Sequence, residues 1–205
     1  MTRFTFNRLG LGRMLLLSAV CWMGCGGGGS GLFTDSRDGQ KYRTVKIGNQ
    51  MWTARNMNYQ TDSGSWCYDN KKSNCKKYGR LYNWNAAKHI VCPNGWHLPS
   101  SAEWTELVTA VGSSNAGKML KSKNGWDNHD GSSGNGTDDY GFSALPGGDR
   151  SGGSFNNAGS GGGWWTATEY NGSYVYYRLM HYYGDYVGEA YIGKGYGFSV
   201  RCVAD

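Results

Sequence analysis

Residues 122–163, "SKNGWDNHDGSSGNGTDDYGFSALPGGDRSGGSFNNAGSGGG", constrain the fold more than any other stretch. A run so rich in Gly, Ser, Asn and Asp has little helix or strand propensity. Inside a compact domain, a long segment of this kind is either functional or disordered. Trp126, Tyr140, Phe142 and Phe155 recur along it at intervals, so its parts are expected to be tied to a core. The regular elements must therefore come from the flanks.

The flanks differ. Before the Gly-rich stretch, "KYRTVKIGNQMWTARNM" gives two short β-type runs around "GNQ", the pattern of a hairpin. In "YGRLYNWNAAKHIVC", Leu81, Trp84, Ala87 and Val91 fall at helical spacing and predict a first helix. A second helix starts in "LPSSAEWTELVTAVG". Ser100 and Glu103 form an S-x-x-E capping box there, Trp104, Leu107, Val108 and Val111 follow at i, i+3, i+4 and i+7, and Gly112 ends the run. After the Gly-rich stretch, "GGWWTATEY", "SYVYYRLMHYY", "YVGEAYIGK" and "YGFSVRCVAD" are aromatic and β-branched runs separated by turn residues, which predicts an antiparallel meander. The fold class is α+β.

Residues 1–24 carry Arg3, Arg8 and Arg13, no acid, and the apolar run Met14 to Val20, which is the pattern of a secretory signal. That run is too short to span a bilayer. It ends in "CWMGCGGGGSG", where Cys25 follows Gly24 and precedes four glycines, as at the lipidation site of a bacterial lipoprotein. Cys21 is the rival position. The expected organisation is a signal peptide over 1–24, a lipidated Cys25 with a Gly/Ser tether over 25–35, and one domain over 36–205. The anchor places the protein outside the cytoplasm, lipid-anchored at the bacterial cell surface on the outer membrane.

Cys67, Cys75, Cys92 and Cys202 remain, an even number in an oxidising compartment, and three connectivities are open. Pairing 67 with 75 would pin the polar loop "CYDNKKSNC", and pairing 92 with 202 would join the middle of the chain to its end. A zinc site lacks a CxxC knuckle. Of the formal charge of +6, Arg3, Arg8 and Arg13 supply three, leaving +3 beyond the signal. "NKKSNCKK" is the one basic cluster and reads as a solvated loop, so nucleic acid is not an expected partner.

"YGRLYNWNAA", "CPNGWHLPSSAEWTEL", "GTDDYGFSALPGG", "WWTATEY" and "GFSVRCV", in that order, closely resemble the Fibrobacter succinogenes major paralogous domain, a family of secreted and lipid-anchored bacterial proteins. The resemblance covers roughly residues 36–203. It implies a C-type-lectin-like fold, akin to the formylglycine-generating enzymes and to the variable display proteins of diversity-generating retroelements. That fold has two helices packed on a small twisted antiparallel sheet, chain ends brought together, and long Gly-rich loops on one side. It also supports the disulfide from Cys92 to Cys202, by analogy with lectin-like domains.

Function is expected to be binding. From Trp164 to Tyr196 eleven aromatic residues fall in 33 positions, and in strands alternate ones point outward. The candidate ligand-binding residues are Tyr174, Tyr176, Arg178, Tyr183, Asp185 and Tyr186, with Trp126 and Asp149 from the loops. They suit a polysaccharide or another surface protein, as in adhesion. Calcium is the cofactor the loop "WDNHDGSSGNGTDD" offers, through Asp127, Asn128, Asp130, Asn135, Asp138 and Asp139.

The alternatives are a display or coat protein with no single ligand, and an enzyme related to the formylglycine-generating fold. Against an enzyme, that group uses a pair of reactive cysteines, whereas these cysteines are assigned to disulfides and the anchor. His89, His97, His129 and His181 are scattered, and no nucleophile elbow, phosphate loop or HExxH motif occurs. His97, between Trp96 and Leu98, reads as a structural imidazole bonded to backbone. Glu169 and Asp185 are a conceivable carboxylate pair, but acids on a sheet more often face solvent beside Lys194 or Arg201.

Overall fold

Two five-stranded sheets and two small two-stranded ones accompany the helices in the computed structural model, which describes Met1 and residues 29–205. The anchor positions Cys21 and Cys25 lie outside those residues. The chain opens with β1 (Ser30–Thr34), β2 (Lys41–Ile47) and β3 (Gln50–Thr53), then β4 (Ser65–Trp66) and helix α1 (Lys72–Tyr78). There follow β5 (Leu81–Tyr82), α2 (Trp84–Ala86) continued by a π-helical turn Ala87–Val91, β6 (Trp96–His97), α3 (Ser101–Val111) and α4 (Ala116–Leu120). The Gly-rich region holds β7 (Asn128–His129), β8 (Ser132–Ser133), β9 (Gly147–Ser151) and β10 (Ser154–Ala158). The last strands are β11 (Gly161–Glu169), β12 (Tyr174–His181), β13 (Gly188–Gly193) and β14 (Val203–Ala204).

The first sheet runs β1-β2-β3-β14-β6 and the second β10-β9-β11-β12-β13, while β4 with β5 and β7 with β8 make the two small ones. Pairings are antiparallel except where β11 meets β9 in parallel. The expected hairpin is β2 and β3, closed by Gly48 and Asn49 with Gly48 at φ +58°. The meander holds for β11, β12 and β13. The fourth run crosses to the first sheet, where β14 pairs with β3 and β6, so two five-stranded sheets stand where one small sheet was expected.

The helices follow local chemistry. Ser100 Oγ accepts from the Glu103 amide, and Glu103 returns to the Ser100 amide at 2.7 Å, forming the expected capping box. The first predicted helix is shorter than its apolar spacing suggests, because Leu81 and Tyr82 pair with β4 and Asn83 then caps Ala86. The loop expected at "NKKSNCKK" is helix α1, whose buried face carries Cys75 and Tyr78. Strand β1 begins inside the segment assigned to the tether, because Phe33 packs on Tyr42 and Trp96.

Two cores result. Val45, Ile47, Trp52, Trp104, Leu107, Phe142, Trp164 and Met180 form one around α3. Tyr42, Met57, Tyr82, Trp84, Trp165, Val175 and Phe198 form the other. Adjacent Trp164 and Trp165 enter opposite cores because successive strand residues point to opposite faces. Of the three open connectivities the structure has Cys67 to Cys75 and Cys92 to Cys202, the second being the one the family resemblance supports. The second closes a long loop, worth up to about 4.7 kcal/mol in the chain-entropy model.

Arg201, expected beside surface acids, is fully buried. Its guanidinium donates to the carbonyls of Thr53, Phe142 and Ser143 and to Asn56 Oδ1, and burial lowers its pKa to about 9. It ties the Gly-rich region to the end of the chain.

Candidate ligand-binding groove

The second sheet shows one face to α3. Its other face is partly open. Along β12, Tyr176, Arg178 and Met180 take the α3 side, while Val175, Tyr177, Leu179 and His181 take the far side. Opposite the far-side residues in β11 lie Gly163 and Gly161, paired with Leu179 and His181. A run of glycines in a strand marks a place where another group must approach closely. Here Phe198 does so: a Cβ on Gly163 would sit 2.5 Å from its ring.

Those glycines floor a groove of about 240 Å³ walled by Tyr177, Phe198, Tyr196, Ile192, Leu179 and His181. Tyr177 and Phe198 stack at 4.6 Å and 11°, and Tyr196 lies 6.3 Å beyond Phe198 at 25°. Asp149 and Asn157 stand on the rim, the Asn157 amide donating to Asp149 Oδ1 at 2.6 Å. Asn157 has φ +64°, which asparagine tolerates, and Gly148 has φ +67° with Asn156 O 2.2 Å from where a Cβ would be. At Gly161 the nearest atoms to a Cβ are 3.6 Å away, so that position opens into the groove.

Burial raises the Tyr177 pKa, with the Asp149 charge adding to it, so the phenol stays a neutral donor. Burial alone lowers His181, leaving its imidazole neutral at pH 7. The groove thus offers apolar ring surface from Tyr177 and Tyr196, both stacked on the nearly buried Phe198, and a hydrogen-bonding rim with a single carboxylate.

Of the residues expected to bind, Asp149 is at this rim. Tyr174 and Tyr176 sit on the opposite face in a cluster with Tyr170 and Tyr191, the last two stacked at 4.1 Å and 4°. Tyr183, Asp185 and Tyr186 lie beyond β12, where Tyr183 stacks on His181 at 5.1 Å and all three are exposed. Two candidates are interior. Trp126 is 4% exposed and donates its indole N–H to Ala144 O, and Arg178 is 6% exposed, donating to Ser101 O and Thr105 Oγ1 and pairing with Glu189 at 2.5 Å. Large aromatic and long cationic side chains were needed there to fill and satisfy the core under α3.

The calcium set is not brought together. Asp138 accepts from the Ser143 amide and hydroxyl, Asp127 lies against Gly159, and Asp130 faces solvent beside His129. Asn128 belongs to β7, Asn135 accepts from the Trp126 amide, and Asp139 is exposed with its amide bonded to Met119 O. Among the described residues no three His, Cys, Asp or Glu side chains are placed to hold a metal ion. Glu169 pairs with Lys194 at 2.6 Å, away from Asp185 on the loop beyond β12.

His97 also departs from expectation. It is half-exposed, and its two nitrogens meet Glu103 at 2.7 Å and Asp205 at 2.6 Å rather than backbone. Burial pulls its pKa down, but the two carboxylates outweigh burial and raise it.

The Fibrobacter succinogenes major domain model matches residues 45–204. The chain belongs to that family. No curated protein and no solved structure matches it. The Fibrobacter major domain match begins within β2 and ends in β14, so it includes both disulfides, the helices and every residue of the groove.

Sequence reasoning missed Tyr177, Tyr196, Phe198, His181, Asn157 and the glycine floor. One signal was available: "GGGWW" places three glycines beside two large rings in a strand.

Proposed function

We propose that the domain is a non-catalytic, lectin-like module that binds a neutral saccharide unit in the groove on the second sheet. What carries this reading is the stacked Tyr177–Phe198 wall over a glycine floor, with Asp149 and Asn157 at the rim. Ring faces suit the C–H faces of a sugar, and the rim amide and carboxylate suit its hydroxyls. The C-type-lectin-like assignment is supported by chain ends joined in one sheet and a disulfide from the first predicted helix to the last strand.

We place the domain at the cell surface as an outer-membrane lipoprotein used in adhesion, on the Arg-flanked apolar run and on Cys25 before its glycine spacer. A lipid on Cys25 provides two or more acyl chains, enough for stable anchoring. No helix among the described residues is long and apolar enough to cross a membrane.

The test is binding of the purified protein to an array of neutral glycans and insoluble polysaccharides, with calcium and with chelator. The expected result is saturable binding that chelator leaves unchanged. Binding lost in chelator would return the Asp127 to Asp139 loop to the account, and absence of glycan binding would favour a coat role or a protein partner.

A further inference from the structure

A second pocket lies across the molecule's other sheet and has the opposite chemistry. It occupies about 300 Å³ between the start of β2, the segment after β3 and the end of α1, with Leu145 closing one side. Lys41, Arg55 and Lys77 line it, and all three are exposed. None of them has a carboxylate within ion-pair distance among the described residues, and no Asp or Glu lines the pocket. Asp38, the nearby acid in sequence, is bonded to the Gln40 amide and side chain. Lys77 is held 4.5 Å over the Tyr78 ring, which fixes one cation at the wall.

Asn58 also lines the pocket, but its Oδ1 is buried and its amide N–H₂ is turned to Gln40 Oε1 at 2.8 Å, so this side chain is closed off from solvent at both ends. Three unpaired cations ask for an oxyanion.

We infer that this pocket binds an oxyanion, a carboxylate or phosphate group such as an acidic saccharide carries, held by Lys41, Arg55 and Lys77. Arg55 can grip a carboxylate or phosphate with two parallel N–H groups, whereas the lysines act as point charges. The cations are solvent-exposed, so their attraction is screened by salt over a distance of about 8–10 Å. The site does not depend on the groove: it lies on other elements and recognises charge rather than ring faces.

The experiment is calorimetric titration of the protein with trigalacturonate and with a neutral trisaccharide of the same length, at low salt and at about 0.5 M sodium chloride, where screening is strong. Trigalacturonate is expected to bind at low salt with affinity falling at least tenfold in high salt, and inorganic phosphate is expected to compete. Lys41→Gln with Lys77→Gln should weaken it tenfold or more with an unchanged thermal midpoint, while Gly161→Leu should leave it at wild-type affinity. Trigalacturonate binding that ignores salt, survives the double substitution, or is lost in Gly161→Leu would overturn the proposal. So would failure of phosphate to compete.

Discussion

The two faces of the second sheet are built from alternating residues of the same strands, yet α3 covers one of them, while the other carries a second core at one end and an open groove at the other. On the α3 face, Trp164 donates its indole N–H to Asn56, Arg178 bonds to α3 and Glu189, and Met180 is buried. On the other face, Phe198 packs directly onto Gly163, while Gly161 opens into the groove beside Tyr177. Residue type alone does not separate the faces, since both carry aromatic and titratable side chains. Parity along the strand assigns each residue to a face, and what covers that face at its position decides the rest, so a substitution under α3 should act on stability and one in the groove on binding.

The largest effect belongs to the face under α3. Trp164→Ala removes a fully buried indole and is expected to cost about 3–5 kcal/mol of unfolding free energy by denaturant titration. A loss under about 1 kcal/mol would mean that this core relaxes freely, and the contrast between faces would fail.

Gly163→Ala sharpens the contrast at the boundary. Its Cβ would meet Phe198 Cδ1 at 2.5 Å, so the ring must move; about 1–3 kcal/mol of stability should be lost together with saccharide binding. Unchanged stability would show that Phe198 is not pinned by that glycine.

Tyr191→Ala tests the exposed cluster on the α3 side. Tyr191 is 52% exposed and stacks on Tyr170, so its loss should cost about 0.5–1.5 kcal/mol and leave groove binding at wild-type affinity. Lost saccharide binding in this variant would move the site to the tyrosine cluster.

The smallest effect is the pH dependence at the start of α3. His97 is raised above its ordinary 6.5, so the stability it contributes is complete below about pH 6.5 and is lost as pH rises through the folded value. Burial works against the Glu103 carboxylate, but hydrogen bonds from Ser100 and His97 lower it below its ordinary 4.5, so its contribution is complete above about pH 4.5 and is lost as pH falls. Thermal midpoints should show a shallow maximum between those values, and His97→Gln should remove its alkaline side. An unchanged alkaline limb would show that the His97 contacts add nothing to stability.

Legibility in the sequence followed the range of the interactions. The capping box of Ser100 and Glu103 and the turn at Gly48 are set within a few residues, and both are as expected. The Cys92 to Cys202 disulfide spans 110 residues, but its covalent chemistry leaves few alternatives. The partners Thr53 of Arg201 and Asp205 of His97 were not legible, because they lie 148 and 108 positions away, and Glu103, six positions from His97, was already assigned to the helix cap. Helix α1 was hidden because its two buried residues, Cys75 and Tyr78, sit among lysines that resemble a solvated turn. The groove was hidden for a different reason. Tyrosines occupy both parities around β12, so composition pointed to Tyr174 and Tyr176 while the far face used Tyr177.

The most direct test of the groove is Gly161→Leu, where a side chain has 3.6 Å of clearance at Cβ and would fill the groove without straining the backbone. Calorimetric titration with the tightest neutral glycan from the array should show at least a tenfold loss of affinity with stability within about 1 kcal/mol of wild type. Wild-type affinity in that variant would contradict the assignment of the saccharide to the groove.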